Sequence, residues 1–129
     1  MIFKNFDGWN LVKKDIHFQE NTRFFHEREV WWCALGVNVG HEQDGKGEQF
    51  LRPIIVIKKF GRNVCVCVPV TKQIKKGPFY FSLFLNGVLN NAILSQIRLI
   101  DVRRFKYKIG NISQEDFENI KEKLMHLFA

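Results

Sequence analysis

The chain has 129 residues, of which 46% are hydrophobic, with a formal net charge of +7 and three cysteines. This length suits one domain with a buried core, and the apolar runs are far too short to cross a bilayer. Cysteines without a framework spacing argue against disulfides and a zinc site, and the first residues lack a secretory signal, so we expect a cytoplasmic domain without metal or membrane segment.

A helix is predicted near the start of the chain. Asp7 is the candidate N-cap, and Trp9, Val12 and Ile16 follow at helical spacing on one face. We interpret residues 1–27 as a helical extension whose simplest role is to cap the rest of the domain.

Short strands bounded by turn residues make up the middle of the chain. The first, residues 28–35, is rich in β-branched and aromatic residues and stops at Gly36. The polar segment 37–50 follows, and a long glycine-containing loop in so small a domain is usually functional or mobile. The strand at 64–70 is apolar on both faces, which predicts a central position. Further strands are predicted at 54–60, 79–85, 92–99 and 106–112, with a helical turn at 101–105.

The last element is a helix. Ser113 is its predicted N-cap, acidic residues occupy its first turn, and Phe117, Ile120, Leu124 and Leu127 form one apolar stripe. Several short strands with turns at close spacing, followed by a docked helix, predict a mainly β fold with α-helices, built as a small antiparallel barrel.

Positive charge is concentrated in one part of the chain. Before Arg52 there are six basic and eight acidic residues, whereas residues 52–112 contain twelve basic residues and one acid, Asp101. Such a block predicts a positively charged face that attracts phosphate backbones in a salt-sensitive way. Charge alone is equally compatible with a solvated basic surface that has no partner.

A series of motifs, each weak alone, occurs in an order that is typical of one family. The motifs are EVWWCALG (29–36), GHEQ (40–43), RP (52–53), VCVPVTK (66–72), ILSQIRLID (93–101) and KIG (108–110). Over residues 28–128 the chain resembles the MazF/PemK toxins.

The resemblance implies a fold, an activity and partners. It implies a closed CcdB/PemK-type barrel domain over residues 28–129, with the extension 1–27 outside it. It also implies a homodimer that cleaves single-stranded RNA, such as mRNA, at selected sequences without a metal or other cofactor. The expected inhibitor is a cognate antitoxin whose flexible acidic tail covers the RNA groove.

The resemblance also assigns roles to individual residues. It places the family's catalytic arginine and threonine on Arg52 and Thr71. The supporting loop and strand residues fall on Gly40, His41, Glu42, Gln43 and Gln96. Many members carry a carboxylate where this chain has Ser95, and we assign Ser95 no chemical role.

These side chains suit the implied chemistry. In metal-free cleavage the substrate's 2′-hydroxyl attacks the adjacent phosphorus and leaves a 2′,3′-cyclic phosphate and a 5′-hydroxyl end. The planar fork of Arg52 can hold two phosphate oxygens in the transition state, and Thr71 can hydrogen-bond the phosphate or the 2′-hydroxyl. The general base stays open, because His41 is more simply an exposed loop histidine and Glu42 more simply organises the loop.

Basic and aromatic residues near these motifs are candidates for binding RNA. Backbone contacts are expected from Lys72, Lys75, Lys76, Arg98, Arg103, Arg104, Lys106 and Lys108. Tyr107, between two lysines, is the preferred base-stacking residue. Phe79 and Phe81 lie on a half-buried strand and are expected in the core.

Two alternatives stay open. Barrel toxins of the CcdB type poison DNA gyrase by protein contact and need neither Arg52 nor Thr71, so the presence of both together with Gln96 favours the nuclease. A catalytically weak relative that only binds RNA would carry the same motifs.

Overall fold

The computed structural model describes residues 3–129 as one curved antiparallel sheet with two helices. The helices are α1 (Phe6–His17) and α2 (Gln114–Leu127). The strands are β1 (Glu29–Ala34), β2 (Leu51–Phe60), β3 (Val64–Thr71), β4 (Tyr80–Leu85), β5 (Val88–Ile93), β6 (Arg98–Asp101) and β7 (Phe105–Asn111), with short 3-10 turns at Leu94–Gln96 and Val102–Arg104. No helix within residues 3–129 is long and apolar enough to cross a membrane.

The strands follow the order β4-β5-β3-β2-β1-β7, and β6 pairs with the edge of β3 that faces away from β2. The central position predicted for β3 is confirmed, because it pairs with β2, with β6 along Val64–Cys67 and with β5 at Val70–Thr71. The predicted mainly β, barrel-type fold with two helices is confirmed. Within residues 3–129 no pairing joins β4 to β7, so the strand path is open at its two ends, unlike the closed barrel that the resemblance implied.

Two apolar layers cover the faces of the central strands. On one side Val30, Ile55 and Val68 pack under Ile120 and Leu124 of α2. On the other side a second cluster is formed by Phe25, Trp31, Cys33, Leu35, Ile54, Val56, Cys65, Cys67, Ile100, Val102 and Phe105. The three cysteines are free and lie buried in this layer. Burial raises the pKa of Cys33 to about 12, so its thiolate is not available for chemistry.

One of the two predicted helix caps is confirmed, and the other is wrong. Ser113 caps α2 as predicted, because its hydroxyl accepts a hydrogen bond from the N–H of Asp116 at 3.0 Å. The prediction that Asp7 caps α1 was wrong. The N-cap is Asn5, whose Oδ1 accepts a hydrogen bond from the N–H of Gly8 at 2.9 Å. Asp7 instead lies in the first turn, where a carboxylate complements the helix dipole.

Two strand predictions also need correction. The predicted strand 92–99 is two strands, β5 and β6, separated by the 3-10 turn Leu94–Gln96. The N–H of Leu94 still donates to the carbonyl of Phe79 at 2.7 Å, and the 3-10 turn then closes with the N–H of Ile97 donating to the carbonyl of Leu94 at 3.3 Å. β2 begins at Leu51 rather than at residue 54, so Arg52 lies inside a strand.

Helix α1 packs on the sheet through its buried face. Trp9 and Ile16 form a small cluster with Ala34 and Phe50, and the rings of Trp9 and Phe50 meet edge to face at 5.6 Å. Gly36, with φ +76°, lies so close to the Trp9 indole that an added Cβ would be 2.1 Å from it. The boundary predicted between residues 27 and 28 stays a prediction.

Candidate functional site

The two predicted catalytic residues lie side by side at one end of the sheet. Arg52 is the second residue of β2, and Thr71 is the last residue of β3. β2 and β3 are antiparallel with Ile54 opposite Pro69, so the start of one strand lies beside the end of the other. The Nη1 of Arg52 donates to the carbonyl of Val70, next to Thr71, at 3.2 Å.

The Arg52 guanidinium is buried and held by acceptors from several segments. The residue is 8% exposed, and its Nε donates to the carbonyl of Asp44 at 2.6 Å. The Gln43 side-chain amide satisfies its neighbours when its oxygen, rather than its nitrogen, faces Arg52. The oxygen then accepts from the Arg52 Nη2 at 2.9 Å and from the Arg52 Nε at 3.0 Å. Burial lowers the pKa of Arg52, and the nearby Asp44 carboxylate opposes this change. The guanidinium stays charged, because arginine is not deprotonated in proteins.

The structure brings the predicted loop residues to Gln96. The N–H of Gln43 donates to the Gln96 Oε1 at 3.2 Å, and the Gln96 Nε2 donates to the carbonyl of His41 at 3.2 Å. Gly40 has φ +54°, a left-handed conformation that favours glycine. Glu42 is exposed at the tip of the loop. The loop and the 3-10 turn after β5 therefore form one hydrogen-bonded unit beside Arg52.

The hydroxyl of Thr71 lies at the edge of this unit. Its Oγ1 accepts from the N–H of Gln73 at 3.2 Å, which fixes its orientation. Accepting this bond leaves the O–H free to donate to a bound group.

Two adjoining cavities meet at Arg52 and Thr71. The larger cavity, of about 630 Å³, is lined by Trp32, Lys46, Gly47, Leu51, Arg52, Pro53, Val70, Thr71, Lys72, Gln73, Asn90 and Tyr107. The smaller cavity, of about 370 Å³, is lined by His41, Gln43, Lys46, Arg52, Thr71, Gln73, Lys75, Tyr80, Ile93, Ser95 and Gln96. Because four residues line both, the cavities form one groove that passes over the arginine and the threonine.

The groove is positively charged. Lys46, Arg52, Lys72 and Lys75 line it, and no aspartate or glutamate among residues 3–129 does so. Lys76 is exposed in the same basic loop but outside the lining. This arrangement favours a negatively charged ligand.

Aromatic side chains form one wall of the larger cavity. Tyr107 is 63% exposed and lies opposite Trp32 in the β1–β7 pairing. Phe81 packs against the core as expected, whereas the core prediction was wrong for Phe79, which is half exposed.

Other residues of the predicted RNA-binding set do not line the groove. Arg103 is paired with Asp101 at 2.8 Å and donates to the His17 carbonyl at 2.6 Å. The Arg104 guanidinium lies 5.6 Å from the Trp9 ring, beneath α1. These contacts connect the sheet to α1.

The same holds for the remaining three members of that set. Lys108 is paired with Glu29 at 3.0 Å, while Arg98 and Lys106 are partly exposed on β6 and β7 outside both cavities. RNA binding stays a prediction for these residues, as it does for the rest of the set.

Sequence reasoning missed several lining residues. Lys46 and Gln73 line both cavities, and Trp32 and Asn90 line the larger one. Strand alternation could have found Trp32, because in the pair Trp31–Trp32 one indole must face away from the buried layer. Within residues 3–129 no three His, Cys, Asp or Glu side chains are grouped closely enough to hold a metal ion.

Comparisons with known proteins agree on one kind of fold. The family model of the PemK-like, MazF-like toxins of type II toxin–antitoxin systems matches residues 26–128. No curated protein sequence matches the chain at a significant level.

Solved structures show the same architecture. MazF from Deinococcus radiodurans is 23% identical with a TM-score of 0.68, over 82% of this chain and 97% of that chain. An endoribonuclease in complex with its cognate antitoxin from a mycobacterial species is 13% identical with a TM-score of 0.62, over 81% and 95% of the two chains. The Mycobacterium tuberculosis toxin MazF-mt6 is 13% identical with a TM-score of 0.61, over 78% and 96%.

Proposed function

This chain belongs to the PemK-like, MazF-like toxin family of type II toxin–antitoxin systems, and from that premise we propose that it is a metal-independent endoribonuclease of single-stranded RNA. The observation that carries the proposal is the position of Arg52 and Thr71 at the junction of two cavities that together form a cationic groove. A phosphate of an RNA strand lying along the groove would meet both side chains.

The proposed reaction is an internal transesterification. The 2′-oxygen of one nucleotide forms a bond to the adjacent phosphorus, and the bond from phosphorus to the 5′-oxygen of the next nucleotide breaks. The 2′-hydroxyl loses its proton, and the departing 5′-oxygen gains one. The products are a 2′,3′-cyclic phosphate and a 5′-hydroxyl end.

Arg52 stabilises the charge that develops on the phosphorus oxygens. Its Nε is occupied by the Asp44 carbonyl and its Nη1 by that of Val70, so the guanidinium is held in one orientation before the substrate binds. A preorganised donor in a site that excludes water is worth roughly 10²–10³-fold in rate. A bound phosphate would compete with the Gln43 oxygen for the Arg52 Nη2, so substrate binding would release this contact between Arg52 and the loop.

Thr71 and His41 are the proposed partners of Arg52. The Thr71 oxygen accepts from the N–H of Gln73, so its O–H is free to donate to a phosphate oxygen or to the 2′-hydroxyl. His41 lines the smaller cavity with both catalytic residues, whereas Glu42 lines neither cavity among the described residues. We therefore prefer His41 over Glu42 as the group that exchanges a proton with the substrate.

The groove also suits the proposed antitoxin. Lysines at its rim and apolar side chains such as Trp32, Leu51 and Pro53 in the larger cavity would accept an acidic segment with interspersed hydrophobic residues. Such a segment would occupy the RNA path and inhibit by competition. A homodimer and a cytoplasmic location, where mRNA is found, complete the proposal.

The end chemistry tests this function directly. Purified protein is incubated with a long single-stranded transcript in EDTA, and the fragments are treated with polynucleotide kinase and labelled ATP. Fragments that accept label without prior phosphatase treatment have the expected 5′-hydroxyl ends. Fragments with 5′-phosphate ends, or cleavage that EDTA abolishes, would refute the proposed reaction.

A further inference from the structure

A lysine of the N-terminal segment contacts the loop that holds the catalytic arginine. The Nζ of Lys4 donates to the carbonyl of Asn38 at 2.6 Å and to that of Gly40 at 2.9 Å, and lies 3.0 Å from Oδ2 of Asp44. An ammonium group has three N–H donors, so all of them have an acceptor in this one loop. The Lys4 side chain is only 15% exposed, so its ion pair with Asp44 is screened less by solvent than an exposed surface pair.

The contacted loop leads directly to Arg52. The carboxylate that Lys4 binds belongs to Asp44, whose backbone carbonyl accepts from the Arg52 Nε at 2.6 Å. The other carboxylate oxygen, Oδ1, accepts from the N–H of Asn38 at 2.7 Å, and the Asn38 Nδ2 donates to the Gln43 carbonyl at 2.8 Å. Lys4 therefore belongs to one hydrogen-bonded network with Asn38 and Asp44, and Asp44 in turn binds the Arg52 guanidinium.

Helix α1 is attached to the sheet by contacts that do not involve Lys4. Trp9 packs on Phe50 and over Gly36, and Arg103 donates to the His17 carbonyl at the other end of the helix. Removing the Lys4 ammonium should therefore leave α1 docked. The matched family region begins at residue 26, so Lys4 lies outside it.

We propose that Lys4 is a positioning residue for the groove, which holds the loop 37–50 so that Asp44 and Gln43 keep Arg52 in its reactive orientation. The inference rests on the proposed nuclease function, since it names a residue that acts on the same site through the loop. A displacement of about 1 Å in a catalytic group can cost about 100-fold in rate. Loss of Lys4 should lower kcat by about 10- to 100-fold, while RNA binding changes little.

The test compares Lys4→Met with Lys14→Met in the full chain. Both variants remove one lysine charge from the N-terminal segment, but Lys14 is exposed on α1. Cleavage of a long single-stranded transcript gives the rate, and binding of its 2′-O-methylated copy, which lacks the attacking hydroxyl, gives the affinity. Hydrogen exchange of residues 37–50 and the NMR signal of the Arg52 Nε–H report loop and arginine order without activity.

Faster exchange in the loop, loss of the protected Nε–H signal and a lower kcat in Lys4→Met alone would support the proposal. Exchange, signal and kcat equal to those of Lys14→Met would overturn it. Should Lys4→Met fold poorly, Asp44→Asn removes the partner charge and is expected to loosen the same loop. A wild-type chain that cleaves no RNA would refute the nuclease function, while exchange and NMR would still decide whether Lys4 orders the loop.

Discussion

The backbone N–H of Gln43 donates to the side-chain oxygen of Gln96 at 3.2 Å, which joins two segments that are 53 residues apart in the chain. The Gln96 amide also donates to the carbonyl of His41, so one side chain satisfies a donor and an acceptor of the same loop. We therefore expect Gln96 to support the proposed site by holding this loop.

Replacing Gln96 by leucine is expected to loosen this loop. Both hydrogen bonds would be lost, so amide exchange in residues 40–43 should accelerate and cleavage should fall by about 10- to 100-fold. Exchange followed by mass spectrometry and cleavage of a single-stranded transcript measure the two effects. Gln114→Leu is the control, since Gln114 bonds Glu118 on α2. Equal behaviour of the two variants would remove Gln96 from the site.

Replacing Tyr107 by alanine is expected to weaken RNA binding without unfolding the chain. The ring is exposed in the wall of the larger cavity, and stacking on one base contributes about 1–3 kcal/mol, which is roughly 5- to 150-fold in Kd. Binding of a 2′-O-methylated RNA strand measures the loss. Phe84, which is 68% exposed on β4 and lines neither cavity, supplies the control variant Phe84→Ala. An unchanged Kd for Tyr107→Ala would exclude stacking at this residue.

Replacing Lys46 or Lys72 by alanine is expected to lower both the affinity for RNA and its salt dependence. Each lysine that contacts a phosphate of a single strand contributes about 0.7 to the slope of log K against log salt. Titrations of RNA at several salt concentrations measure that slope. Arg62→Ala, in the exposed turn between β2 and β3, should leave it unchanged. A slope that responds equally to all three variants would indicate diffuse attraction rather than a groove.

Glu29 is expected to give the fold a pH-dependent contribution. Burial raises its pKa, but hydrogen bonds from Trp31, His26 and Lys108 together outweigh burial and lower the pKa below 4.5. A lowered carboxylate pKa means stability that is full above pH 4.5 and declines as the pH falls through the folded-state value. Glu29→Gln should therefore cost about 1–3 kcal/mol at neutral pH and less in acid.

Urea unfolding of the wild type and of Glu29→Gln, at neutral pH and at pH values below 4.5, measures the difference in their free energies of unfolding. A wild-type advantage that stays constant down to pH values at which Glu29 is protonated would contradict the pKa assignment. Unfolding of Glu115→Gln, at the exposed N-terminus of α2, provides the reference.

The sequence was sufficient where the controlling interactions are local. Ser113 caps α2 through the N–H three residues later, and the turn predicted between the strands at 54–60 and 64–70 joins the neighbouring strands β2 and β3. The turn at Leu94–Gln96 was missed because no glycine or proline marks it in the sequence.

The contacts of Lys4 and Arg103 were likewise beyond local reasoning. Lys4 reaches Gly40 across 36 residues, and Arg103 reaches His17 across 86. In both cases the partner is a backbone carbonyl, which carries no sequence signal. Basic residues could therefore be counted from the sequence, but it did not indicate which of them line the groove.

The most direct test of the central claim is cleavage of one long single-stranded RNA in EDTA by the wild-type chain, by Arg52→Ala and by Arg52→Lys, with folding checked by circular dichroism. The account predicts discrete cuts by the wild type and a loss of at least about 100-fold in Arg52→Ala. Arg52→Lys should recover little, because a lysine keeps the charge but not the planar fork. Cleavage by a folded Arg52→Ala at the wild-type rate would contradict the account.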